Sequence, residues 1–86
     1  MKIEVTQADI DKGQPCMAAH CPVARAIKRA GYPQAQVGEL RVYLTFRTER
    51  TPSKIRNLPR RVRAWIKKYD HDGRNAVAPI TFDLED

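Results

Sequence analysis

Apolar and polar residues alternate with a period of two in some segments of the chain and fall at helical spacing in others. In "KIEVT", Ile3 and Val5 point one way while Lys2, Glu4 and Thr6 point the other, which predicts a short strand. In "TQADIDKG", Thr6 is placed to cap one or two helical turns, with Asp9 as the third residue in a weaker form of the capping box. Gly13 is the expected stop and Ile10 the expected buried anchor. "CPVARAIKRAG" has the clearest helical pattern. Pro22 suits the first helical position, where its missing N–H costs nothing. Val23, Ala26, Ile27 and Ala30 form the apolar stripe, and Gly31 is a natural C-terminal cap.

"ELRVYLTFR" alternates throughout: Leu40, Val42, Leu44 and Phe46 predict the buried face of a strand, and Arg41, Tyr43, Thr45 and Arg47 its polar face. "TERTPSKIRN" is polar, basic and interrupted by Pro52, and is expected to be a loop. In "LPRRVRAWIKKYDHDG", Pro59 fits the first turn of a helix whose buried stripe is Val62, Trp65, Ile66 and Tyr69. Lys67 and Lys68 near its end complement the helix dipole. "VAPITFDLED" predicts a last strand with Ile80, Phe82 and Leu84 inward and Pro79 at its start. The expected fold is α+β: a single domain over residues 1–86, in β-α-β-α-β order. A small three-stranded antiparallel sheet would carry two main helices on one face. The first and last strands are expected to pair, and the two sheet edges leave room for a homo-oligomer that extends the sheet.

Charge adds a partner to this picture. The net charge is +6, but residues 41–68 hold ten basic residues against Glu49 alone, whereas residues 69–86 hold Arg74 against five acids. A basic middle followed by an acidic tail bears on binding rather than on fold. No stretch approaches the ~18 consecutive apolar residues of a membrane span. The acidic "MKIEVTQADIDKG" lacks the apolar core of an export signal, so a cytoplasmic location is expected.

The elements taken together, "TQxDIxxG", "CPVARAI", "LPxxVxxWIxxYD" and "PxxFxL", resemble a group of small uncharacterised proteins of bacteriophages and bacteria. The resemblance covers most of the chain. It implies a phage or prophage origin and a role in manipulating host machinery, and it carries no catalytic residues. The second helix of such proteins is generally less basic, and Arg60, Arg61 and Arg63 depart from that pattern.

The candidate anion-binding residues are Arg41, Tyr43, Arg47, Arg60, Arg61, Arg63, Lys67 and Lys68, with Arg50, Lys54 and Arg56 in the segment between strand and helix. Arginine offers forked hydrogen bonds to phosphate or carboxylate, and Tyr43 could stack on a base. Trp65 and Tyr69 lie on the apolar stripe and read as core. Cys16, His20, Cys21 and His71 are the right donor types for zinc, but adjacent His20 and Cys21 rarely reach one ion. The reading is therefore of no metal and no cofactor, with Cys21 capping its helix or simply buried. As a nucleophile Cys21 would lack an orienting partner. The acidic tail, Asp83, Glu85 and Asp86, could fold across the basic face or stand in solvent. The expectation is a non-enzymatic protein that binds an anionic partner: nucleic acid, a nucleotide or an acidic protein surface. The alternative is an inhibitor that docks on a host enzyme or defence system, and a further alternative is a structural zinc-binding mini-domain.

Overall fold

A computed structural model of the chain describes residues 1–85. Strand β1 (Lys2–Val5) is followed by helices α1 (Gln7–Lys12) and α2 (Pro22–Arg29). The strands β2 (Gln36–Val37), β3 (Arg41–Thr48) and β4 (Thr51–Asn57) come next, then helix α3 (Arg60–Asp72), a 3-10 turn at Arg74–Ala76, and strand β5 (Ile80–Asp83). The class is α+β with antiparallel sheets. The expected first-to-last pairing is present: β1 and β5 are antiparallel, with Ile3 opposite Phe82 and Val5 opposite Ile80. The three-stranded sheet is composed differently, in the order β2-β3-β4.

The correction lies in residues 48–57. The stretch expected as a loop contains β4, which forms a hairpin with β3. Its residues alternate between exposed and half-buried, and none is fully buried. Pairing with β3 rather than burial recruits this strand, so apolar periodicity could not reveal it. At the turn, Thr48 Oγ1 donates to Thr51 Oγ1 at 3.0 Å and accepts from Arg50 N–H at 3.3 Å.

The helices form where local chemistry asks for them. At α1 the Thr6 hydroxyl accepts from Asp9 N–H and the Asp9 carboxylate accepts from Thr6 N–H, so the capping box is complete. At α2 the Cys21 Sγ accepts from Ala24 N–H at 3.4 Å, with Pro22 in the first turn. Gly31 and Gly73 take φ of +124° and +89°, conformations that side chains with a Cβ rarely adopt. One contiguous core joins both sheets and all three helices: Ile3, Ile10, Val23, Ile27, Val42, Leu44, Val62, Ile66, Phe82 and Leu84 lie within it. The expected stripe of α2 shifts slightly, because Ala30 falls beyond the helix end and is exposed while Ala24 is buried. Trp65 stacks on Tyr69 with ring centroids 5.8 Å apart, and its Nε1 donates to the Ala78 carbonyl at 2.8 Å. No helix among the described residues is long and apolar enough to cross a membrane.

Both edges of the β1–β5 ribbon are capped by arginine. Met1 and Leu84 exchange backbone hydrogen bonds, which sets the alternation and turns the carbonyls of Glu4 and Thr81 outward. Arg29 Nη2 of α2 donates to the first at 2.9 Å, and Arg61 Nη2 of α3 donates to the second at 2.6 Å. The outer side of β2 is met by Val37 N–H donating to Ala18 carbonyl at 2.8 Å. On β4, Pro52 lacks a donor and Arg56 Nη1 folds onto the Ile55 carbonyl at 2.8 Å. Blunted edges of this kind protect a sheet from unwanted pairing. Strand addition by a second copy would have to displace these groups.

Candidate nucleic-acid interface

The strand candidates sit on the open face of the three-stranded sheet. Val42 and Leu44 turn into the core, so Arg41 and Tyr43 turn out. Tyr43 stands in register between Gln36 of β2 and Ile55 of β4, and Arg41 stands opposite Asn57. Thr45 and Ser53 hydroxyls meet at 2.6 Å on the same hairpin. Tyr43 is half-buried, with its ring 6.5 Å from that of Phe46.

The helix candidates divide along α3. Val62, Ile66 and Tyr69 are buried, which leaves Arg60, Arg61, Lys67 and Lys68 exposed and Arg63 half-buried. Arg63 and Lys67 line a groove of about 460 Å³ with Cys16, Glu39, Leu40 and Asp70. The Arg63 Nε is enclosed and has no hydrogen-bond partner among the described residues. Arg61 reaches the other way, to β5.

The remaining cations are also placed individually. Arg47 and Arg50 are exposed near the hairpin turn. Lys54 Nζ donates to the Tyr32 hydroxyl at 2.8 Å and lies 5.0 Å from that ring's centroid. Arg56 is half-buried. The acidic end of the chain comes close to β4, since Glu85 borders a depression with Ile55, Arg56 and Asn57. Asp86 lies outside the described residues.

Ion pairs form around the buried Asp9 and at the start of β1. Arg25 and Arg29 pair with the buried Asp9, and Lys2 with Glu4. Among the described residues, no carboxylate lies within ion-pair distance of Arg41, Arg47, Arg50, Lys54, Arg60, Arg61, Arg63, Lys67 or Lys68. α3 also begins without a side-chain cap and without an acid in its first turn. Arg60 and Arg61 thus oppose the helix dipole, a local cost that a bound anion would remove.

The cysteine candidates resolve into different roles. Cys21 is buried, and burial pushes its thiol pKa up, against the opposing pull of the Ala24 and Val23 N–H groups. Cys16 is exposed, with φ of 60° and its N–H donating to Asp70 Oδ1 at 2.9 Å. His20 is exposed, and His71 Nδ1 lies 2.9 Å from Asp72 Oδ1 of its own helix. No group of three or more His, Cys, Asp or Glu among the described residues could hold a metal ion. A maleimide at neutral pH is expected to modify Cys16 quickly and Cys21 only on unfolding. Mass spectrometry of native Cys16→Ser would then show no adduct, and rapid labelling of that variant would contradict the burial of Cys21.

Several neighbours of the site carry no signal in the sequence. Leu40, expected inward, is 55% exposed, and Met17 is 45% exposed. Lys28, Gln34, Phe46 and Glu49 gather with Arg47 around a depression at the end of β3. The register of the β3–β4 hairpin shifts on both sides of Phe46. Compared with known proteins, the chain matches no family model, no curated protein and no solved structure.

Proposed function

We propose that this is a small non-enzymatic accessory protein, of phage type by its sequence pattern, that binds nucleic acid through its basic segment. The observation that supports this is that, among the described residues, no carboxylate lies within ion-pair distance of Arg41, Arg47, Arg50, Lys54, Arg60, Arg61, Arg63, Lys67 or Lys68, whereas Lys2, Arg25 and Arg29 each have one. Cations that stand together unpaired repel one another, and phosphates relieve that repulsion. The open sheet face supplies Tyr43 beside Arg41, and α3 supplies Arg60, Arg61 and Lys68 as phosphate contacts.

Fluorescence anisotropy with labelled single strands and duplex across a salt series tests the reading. Contact with about four phosphates gives a log–log slope near −3 for a single strand. Replacing Arg60, Arg61 and Lys68 by Gln is expected to flatten the slope by about one per residue that contacts phosphate. Absence of binding at about 50 mM salt, or binding indifferent to salt, overturns it. A second reading, docking on a host protein, is favoured by the exposure of Met17 and Leu40 beside neighbouring grooves. Under that reading the protein purifies from its host with a discrete second polypeptide and without nucleotide absorbance.

A further inference from the structure

We infer that the depression at the end of β3 seats one nucleotide of a single strand. The base lies on Phe46, the phosphate lies between Lys28 and Arg47, and the base's exocyclic amine faces Glu49. The inference rests on the nucleic-acid reading and deepens it.

The depression has a volume of about 470 Å³, within the ~300–1,000 Å³ of sites that hold small molecules. Phe46 and Arg47 are neighbours on one strand, and in a regular strand their side chains would leave on opposite faces. Here the pairing register slips between Thr45 and Phe46 and again between Phe46 and Thr48. Both residues then line one depression. Bulges of this kind commonly re-aim side chains beside binding sites. Phe46 is half-buried, so its ring is held by the fold and retains an open part.

The rim carries charges of both signs. Lys28 Nζ is anchored by the Ala19 carbonyl at 2.6 Å, and its remaining N–H donors are available for a phosphate oxygen. Arg47 is exposed on the same rim and adds a forked donor. Glu49 also borders the depression. A carboxylate repels phosphate and accepts from an amine, so it orients the nucleotide with its base toward Glu49. Glutamate reads the N4 amine of cytosine in this way, and thymine has a carbonyl at the same place. The chemistry therefore favours a base with an exocyclic amine over thymine.

Anisotropy with oligo-dC and oligo-dT, two pyrimidines of similar stacking, is the test. The wild-type protein is expected to hold oligo-dC about fivefold more tightly. In Glu49→Ala, oligo-dT binds more tightly than it does to the wild type, because a negative charge is gone, and the ratio falls to near one. Phe46→Leu keeps apolar bulk at the bulge and weakens both about tenfold with the salt slope unchanged. An unchanged thermal melt of each variant assigns the effect to binding. Equal wild-type affinities, a ratio that survives Glu49→Ala, or stronger binding of duplex than of single strands overturns this inference and leaves the nucleic-acid reading standing. No binding of any strand at low salt overturns both.

Discussion

Asp9→Ala lowers the stability of the fold by about 3 kcal/mol, and the midpoint of thermal unfolding by on the order of 15 °C. Asp9 is fully buried, the sole buried charged side chain among the described residues. Its carboxylate accepts from Arg29 Nη1 at 2.8 Å and Nη2 at 2.7 Å, and from Thr6 N–H at 3.0 Å. Arg25 Nε stands 3.5 Å away, at ion-pair distance. Removing the acid takes away half of the α1 capping box and leaves two guanidinium groups without their counter-charge. Those groups are 52% and 37% exposed, so water recovers part of the loss. That places the effect at the lower end of the ~3–5 kcal/mol range for broken buried pairs. Arg29 also caps β1 through the Glu4 carbonyl, so the substitution loosens that edge as well.

The same residue makes the fold sensitive to acid. Burial alone pushes the Asp9 carboxyl pKa up, but the Arg29 guanidinium and the Thr6 N–H outweigh it and hold the group below the usual carboxylate range. A carboxylate with a depressed native pKa contributes stability that is fully present above its unfolded value, near ~3.9. That contribution drains away as pH falls through the native value. Urea midpoints of the wild-type protein are expected to fall below about pH 4, and those of Asp9→Asn to fall less steeply. Parallel loss in the two proteins would show that Asp9 is not the group responsible.

Gly13→Ala is expected to cost about 2 kcal/mol through overpacking. A Cβ at this position would meet the Asp9 backbone carbonyl at 2.7 Å and the Pro22 ring at 2.7 and 2.8 Å. Neither neighbour yields readily: one is the backbone of α1, the other a ring in the first turn of α2. Relief requires the two helices to part, which also strains the Asp9–Arg29 contact between them. The backbone at Gly13 is extended, with φ −70° and ψ 164°, so the requirement is for space and not for left-handed geometry. Gly38→Ala is the matched comparison, because its Cβ would meet nothing closer than 3.4 Å. Urea denaturation should show a reduced midpoint with an unchanged slope for Gly13→Ala and a near-native midpoint for Gly38→Ala. Equal midpoints would refute the close-approach argument.

Gly13 also shows where reading a sequence stops. Its place at the end of α1 was legible, but the reason for glycine there was not, because Pro22 approaches from another helix. Asp9 was legible as a capping residue, since Thr6 is three positions away. Its partnership with Arg29, twenty positions on, leaves no local pattern. β4 leaves no such pattern because a strand recruited by its neighbour need not alternate in hydropathy, and alternation places Leu40 inward because it names two faces without saying where the core ends.

By itself the sequence determined the helices α1, α2 and α3, the pairing of β1 with β5, and the concentration of cations between Arg41 and Lys68. These follow from caps, short-range periodicity and composition, which act over a few residues. Tertiary structure alone decided that Arg61 and Arg29 cap strand edges and that Lys28, Phe46, Arg47 and Glu49 surround one depression. Those outcomes depend on how distant segments pack and on where a strand bulges, and neither is encoded within the reach of a local pattern.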